Sequence, residues 1–372
     1  MKLLDRYIGR QVLLSAFFAV LVLSVVLVLG SIFKHILSQL VDRPDLDAGF
    51  ILALLLNVLP FSLAITIPWG FLTAILLVFG RLSADNELIS LRMAGLSMPR
   101  ICLSVALLGL VFSGLCGWIK LQVEPDSRAR LERMLPDMLY NLASKNPMGL
   151  FTDRQVMDEI PGYLIYAERQ GDHLGNFEMA VLDRLSRPEI FVTAERVDVA
   201  IDPESVEPAM LMTFHNAHFE QSSESGGFVN VQPFVSERSA MSVPLTSLRK
   251  TQDKVKPETL RIHQLRAALQ EPDLKRGDRS SLLTEISMRY SFSFACFTLG
   301  LIGIPLAITA QRRETSVGFA LSLFIGIVYF LLITVVEMLR DKDNLYPYVL
   351  AWIPNLIFIC LGLYLFRRLA RK

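Results

Sequence analysis

Charge is scarce over long stretches of this 372-residue chain: from Ala48 to Gly80 there is no Asp, Glu, Lys or Arg. Charged residues make up 20% of the sequence against 52% hydrophobic, and the two signs nearly cancel to a net +1. That balance gives no basis for a nucleic-acid partner. Cysteine is equally sparse. Cys102, Cys116, Cys296 and Cys360 all fall in apolar runs, none in a CxxC or Cys/His pattern, so they read as small apolar fillers and not as a disulfide framework or metal site. The sequence has no Walker phosphate loop, HExxH, nucleophile elbow or dinucleotide-binding glycine fingerprint. His215 and His218 lie three apart in a stretch that alternates like a strand, which predicts opposite faces and no shared metal.

What is present in quantity is long apolar runs, which place the chain among integral membrane proteins. Six spans are predicted: Gln11–Phe33, one within Ala48–Gly80, Ile101–Ile119, Tyr290–Gln311, Thr315–Val336, and about Asn344–Phe366. The first is too long for a signal-peptide core and no small-residue cleavage site follows it. The second run would reach ~50 Å as a straight helix against a hydrocarbon core of ~30 Å. Pro60 and Pro68 are therefore expected to kink or divide it.

Basic residues orient the spans. With the N-terminus inside, Lys2, Arg6, Arg10, Arg81, Arg92, Arg100, Arg312, Arg313, Arg367, Arg368, Arg371 and Lys372 lie inside. Only Lys34, Arg43, Arg340 and Lys342 lie in the short outer loops. Both termini are thus expected in the cytoplasm, with the large polar segment after span three on the far side. That segment opens with a helix, Asp126–Ser144, that extends span three outward and is interrupted at Pro136. Alternation then predicts short strands around Tyr163–Ala167, Phe177–Val181, Val197–Ile201, Met210–Phe214 and Phe228–Val231, separated by Gly-Asp, Asp-Pro and Gly-Gly breaks. An antiparallel sandwich or open barrel fits this spacing. A helix over Pro257–Glu271 and a linker near Pro272–Asp278 lead back to the membrane.

Between spans two and three lies a short polar break, Arg81 to Arg100. Ser83 as N-cap, Asp85 and Glu87 in the first turn, Gly95 as a stop and Pro99 beyond predict a helix over 83–97. On it Ile89, Met93 and Leu96 share one face; Glu87, Ser90 and Ala94 share the opposite one, with Leu91 beside them. Such a segment either joins two spans or touches another protein. No ionisable group lies well inside a span, so the spans offer no proton path, and energy for transport would come from another subunit. Lys34 at the outer end of span one reads as an interfacial anchor or a head-group phosphate contact. Glu285 and Arg289 read as an i,i+4 pair or as a stop signal for span four.

Four stretches carry a resemblance to lipopolysaccharide export permeases of the LptF/LptG (YjgP/YjgQ) type: Leu4-Asp5-Arg6-Tyr7-Ile8, the run ELISLRMAGLS from Glu87 to Ser97, Leu301–Leu306 with Pro305, and Ala351-Trp352-Ile353-Pro354-Asn355-Leu356. The resemblance implies an α+β membrane protein with six transmembrane helices and a periplasmic β-jellyroll-like domain between helices 3 and 4. The expected divisions are 1–123, 124–284 and 285–372. It further implies an inner-membrane subunit that pairs with a second related permease above an LptB-type cytoplasmic ATPase dimer. Lipopolysaccharide is then passed to periplasmic jellyroll bridge proteins. The ATPase-coupling residues fall at Glu87, Leu88, Leu91, Arg92 and Gly95, and the lipid head-group contact at Lys34. Spans one and five would form the lateral gate. No catalytic residue, metal or cofactor is expected.

Two other readings use the same features. A lipoprotein-release type of mechanical ABC subunit carries its large outer domain after the first span, whereas here it follows the third. A membrane-anchored scaffold with a periplasmic binding domain would need neither six spans nor the 83–97 helix. The residues Phe177, Met179, Met210 and Met212 of the outer domain are expected to be its core, with an acyl-chain slide as the alternative.

Overall fold

The computed structural model describes residues 3–40, 48–151, 153–157, 160, 162–183, 187–201, 209–221, 234–245, 256–310 and 315–370. It divides into two compact units, Met1–Arg130 with Lys256–Lys372, and Leu131–Val255.

The first unit is helical. Its elements are α1 (Leu3–Leu40), α2 (Ala48–Ala84), α3 (Glu87–Met93), α4 (Met98–Trp118), a π-helical turn (Ile119–Val123) and the start of α5 (Glu124–Lys145), which, contrary to expectation, Pro136 does not interrupt. After a 3-10 turn (Pro257–Thr259) come α6 (Ile262–Ala268), α7 (Arg276–Ser293), α8 (Ala295–Ala310), α9 (Thr315–Met338), α10 (Pro347–Leu350) and α11 (Ile353–Ala370). The predicted 257–271 helix is thus a 3-10 turn followed by the shorter α6, where Gln264 accepts the Arg261 N–H at 2.8 Å. Among the described residues, five helices are long and apolar enough to cross a membrane, and α7 with α8, bent by 42°, qualify together as a sixth.

Helix α2 is the centre of this unit. It is apolar all round; its first turns leave Leu52 and Leu56 exposed, and its later turns are enclosed by the other helices. Phe71, Leu72, Ala74, Ile75, Leu76, Phe79 and Leu82 are fully buried. Of the two outcomes expected at Pro60 and Pro68, division does not occur: both lie inside one continuous helix. Pro68 has no N–H to give the Ala64 carbonyl, and the Cys116 thiol of α4 donates to that oxygen at 3.5 Å. Cys116 is therefore a hydrogen-bond donor as well as a filler.

Close approach of α1 and α2 depends on Gly70. A Cβ there would lie 2.5 Å from Val20 Cγ2 and 2.9 Å from the Val20 backbone nitrogen, which cannot move aside alone. One turn along the pair, Ser24 and Thr66 hydroxyls meet at 2.7 Å. Gly70→Ala is expected to force the helices apart and cost about 1–3 kcal/mol. Thermal unfolding in detergent measures this; an unchanged midpoint would mean that α1 re-seats freely.

The α7–α8 bend at Phe294 exposes backbone groups that neighbouring helices satisfy. The Phe297 N–H donates to Ser113 Oγ of α4 at 3.0 Å. The Ser291 carbonyl accepts from Asn355 Nδ2 of α11 at 2.7 Å. Asn355 Oδ1 in turn accepts from the Tyr329 hydroxyl of α9 at 3.2 Å, and Ser291 Oγ donates to the Ala351 carbonyl at 2.6 Å. All of these side chains are buried.

Where the chain re-enters this unit, charge is concentrated. Arg289 is only 3% exposed; it pairs with Glu285 at 2.7 Å and donates to the carbonyls of Pro257, Glu258 and Leu260. The i,i+4 pair expected from the sequence is therefore present, and it is a largely buried clasp on the re-entry segment. Glu258 is bound by Arg128 at 3.1 Å and Arg340 at 2.6 Å. Burial opposes its ionisation, but the Arg340 hydrogen bond and the charges of Arg128 and Arg340 outweigh that and hold the carboxyl below its ordinary range. Asp126 pairs with Arg261 beside them.

The second unit is built on a six-stranded antiparallel sheet in sequential order: β1 (Gln155–Met157), β2 (Tyr163–Gln170), β3 (His173–Leu182), β4 (Pro188–Ile201), β5 (Ala209–Gln221) and β6 (Phe234–Pro244). The strand expected at Phe228–Val231 lies outside the described residues. Phe177, Met179, Met210 and Met212 are at most 1% exposed and form the core, with Phe177 and Phe214 ring centroids 5.6 Å apart.

A crease crosses this sheet. Asn176, Glu195, Asn216 and Glu237 face one another in sequence register, yet the ladder pairs only their neighbours. Asn176 and Asn216 adopt left-handed backbone, φ 44° and 52°, which asparagine tolerates better than most residues. Their amides donate to Glu168 and Glu195 at 3.2 and 3.0 Å. Across the crease the alternation slips by one residue. Phe214 and Ala217 are both fully buried, as are Ala194 and Val197 nearly so. His215 and His218, on the outward side of those buried positions, therefore share a face, contrary to the simple alternation rule. His215 Nε2 lies 2.8 Å from Asp198 Oδ2.

Candidate functional site

The polar break between α2 and α4 folds as a compact turn–helix–turn. Helix α2 runs on through Ala84, so Ser83 is helical and its carbonyl accepts from the Asn86 N–H at 3.2 Å. The start of α3 is set instead by Asn86 in left-handed conformation, φ 59°. The expected helix over 83–97 is thereby reduced to Glu87–Met93. Its end follows the sequence signal: Gly95 sits at φ 85°, Gly95 N–H donates to Arg92 O and Leu96 N–H to Leu91 O, a Schellman closure. Ser97 is extended and α4 begins at Met98 with Pro99 in its first turn.

The helix has an inner and an outer side. Leu88 is 4% exposed and Leu91 and Leu96 pack partly buried against the same core. Ile89 and Met93 point outward, 58% and 85% exposed, beside exposed Arg92. Of the residues singled out in sequence, Leu88 and Leu91 seat the helix, Arg92 and Gly95 are exposed, and Glu87 is half-buried. Ile89 and Met93 do not share the expected face with Leu96: the turn at Gly95 takes Leu96 inward and leaves the other two outside. Lys34 falls within α1, and its side chain lies outside the described residues.

Glu87 has a partner that the local sequence does not signal. The Tyr7 hydroxyl, eighty residues earlier on α1, donates to Glu87 Oε2 at 3.1 Å. The same end of α1 binds the flanking helices. Asp5 holds Arg100 through two bonds, 2.9 and 3.2 Å, and Gln11 Oε1 accepts from Arg81 at 2.8 Å. Ile8, between Asp5 and Gln11, is fully buried.

Membrane-length apolar helices around a central buried one, with a sheet unit inserted in the sequence, define a multi-pass membrane protein. The α3 turn is exposed, and among the described residues no group of His, Cys, Asp and Glu could hold a metal ion. The chain belongs to the lipopolysaccharide export system permease LptF/LptG family, whose model matches residues 6–368, nearly its whole length. Family and apolar helices together make it an inner-membrane, multi-pass permease of lipopolysaccharide export. Comparison with curated proteins returns no match.

Proposed function

We propose that this chain is one of two related permease subunits of an ATP-driven transporter. It would extract lipopolysaccharide from the inner membrane and hand it to a periplasmic bridge of jellyroll proteins. In this reading α7 and α8 form one bent span, giving six in all. Both termini and the α3 turn are cytoplasmic, and the sheet unit is a periplasmic jellyroll-like domain within 124–284, flanked by membrane regions 1–123 and 285–372. Lipid acyl chains bury enough apolar area, at ~25 cal/mol per Å², that spontaneous release is negligible, so work must be delivered from an ATPase. The α3 turn is the place for it to enter. Lys34, near the outer end of α1, would contact the lipid's phosphates.

The observation that carries this reading is the two-sided α3. Its inner side is anchored on Leu88, while Ile89 and Met93 stand out as apolar knobs flanked by Arg92 and Glu87. An LptB-type ATPase dimer would receive those knobs in a groove and pair a basic residue with Glu87. Truncating one partner of such a pair costs about 2–5 kcal/mol, at least about thirtyfold in affinity. In the reconstituted complex, Glu87→Ala is expected to weaken ATPase association by that margin and to slow lipopolysaccharide release in step. ATPase association and release both at wild-type levels would refute the assignment.

A further inference from the structure

We propose that Tyr7 is a positioning residue for Glu87, and that the first turns of α1 form a harness binding every junction of the α2–α3–α4 turn. This rests on the coupling role of α3 proposed above. Three polar contacts, one per junction, converge on one short stretch of α1. Arg81, at the end of α2, holds Gln11; Glu87, at the start of α3, is held by Tyr7; Arg100, at the start of α4, is held by Asp5. Their partners on α1 span fewer than two helical turns. A displacement of α3 therefore cannot occur without pulling α1.

What α1 does with that displacement follows from its packing. Ile8, Val12 and Ala16 form a fully buried seam at i, i+4 and i+8. Beyond it Val20 closes on Gly70 and Ser24 bonds Thr66, both on α2. Motion entering at Tyr7 is thus carried along α1 as a rigid body against α2. The remaining surface of α1, from Leu13 and Phe17 to Val25 and Leu29, is exposed to whatever lies beside this unit. Tyr7 adds a second function. Its hydroxyl fixes the Glu87 carboxylate on the α1 side of the helix, so that the carboxylate is oriented before any basic partner arrives.

The test is Tyr7→Phe in the full complex, reconstituted in proteoliposomes containing lipopolysaccharide. The ring is retained, so packing around α1 is retained. The ATPase is expected to co-purify, while ATP hydrolysed per lipopolysaccharide released rises about threefold, the scale of one net hydrogen bond. In a double-mutant cycle on ATPase association, the Tyr7→Phe effect is expected to vanish in a Glu87→Ala background. An unchanged ratio of ATP to lipid in Tyr7→Phe would overturn the positioning role, and so would a Tyr7→Phe effect of equal size with and without Glu87. Glu87→Ala with normal association and release would instead overturn the coupling reading itself, which keeps the two failures apart.

Discussion

Replacing Arg289 by methionine is expected to destabilise the helical unit by about 3–5 kcal/mol, among the largest effects of any single substitution here. The guanidinium is 3% exposed and satisfies four acceptors at once: Glu285 and the carbonyls of Pro257, Glu258 and Leu260. Methionine fills much of the same volume, so the loss is not a cavity effect. It is the cost of leaving Glu285, itself 13% exposed, as an unpaired and largely buried carboxylate, together with the Glu258 and Leu260 carbonyls without their guanidinium donor; the Pro257 carbonyl keeps the Leu260 N–H at 3.3 Å. Arg289→Lys should recover little, because one ammonium cannot match the planar fork that reaches all four oxygens. Arg289→Met with Glu285→Leu should recover about half, since the stranded charge is gone and only carbonyls remain. Unfolding midpoints in detergent rank the three variants, and hydrogen exchange at 256–261 shows whether the re-entry segment frees first. A single Arg289→Met variant within about 1 kcal/mol of the parent would mean that the segment is held by other contacts.

Asn355→Leu is the second, with an expected cost of about 2–4 kcal/mol. Its amide donates to the Ser291 carbonyl and accepts from Tyr329, both at most 1% exposed. Leucine is nearly isosteric, but it leaves the Tyr329 phenol without its acceptor and the Ser291 carbonyl with only the Phe294 N–H, at 3.1 Å. That carbonyl sits at the bend at Phe294. Without its side-chain donor it is free to take the Ala295 N–H four residues on, which would draw α7 and α8 toward one straight helix. Asn355→Leu should therefore lose lipid release as well as stability, whereas Tyr329→Phe, which strands only one acceptor, should lose about 1 kcal/mol or less. Spin labels at the far ends of α7 and α8 report the bend directly. Wild-type stability with an unaltered inter-label distance in Asn355→Leu would show that packing alone keeps the 42° angle.

The helices were legible because an uncharged apolar run has few alternatives. The α-plus-β division was legible because periodicity changes from helical to alternating after the third apolar run. What sequence could not supply was partnership at a distance. Pro68 looked like a breaker because the thiol that relieves it lies on another helix, at Cys116. Arg289 looked like one half of a local pair because its three carbonyl partners are about thirty residues away. In the α3 turn, Gly95 was read correctly from local chemistry, since a Schellman closure is written in neighbouring residues. Asn86 was not, because left-handed asparagine leaves no mark beyond its identity, and Ser83 offered a more familiar cap. Tyr7 was visible only as part of a resemblance, and its bond to Glu87 gives that opening motif a physical reason.

The crease in the sheet has a consequence for how this protein can change. Because the odd residues at Asn176, Glu195, Asn216 and Glu237 fall on one line, each strand stays in step with its neighbours on both sides of it. Deleting one of them would not tidy a single strand. It would restore plain alternation on that strand but leave it one residue short against its neighbours, so that every cross-strand partner beyond the line is displaced by one. Insertions and deletions along this line are tolerable only in concert, so the line should persist as a unit wherever the fold is inherited. It also gives a practical rule for placing probes: positions counted outward from the edge of a strand must be re-counted once the line is crossed, or a label meant for solvent will land in the core.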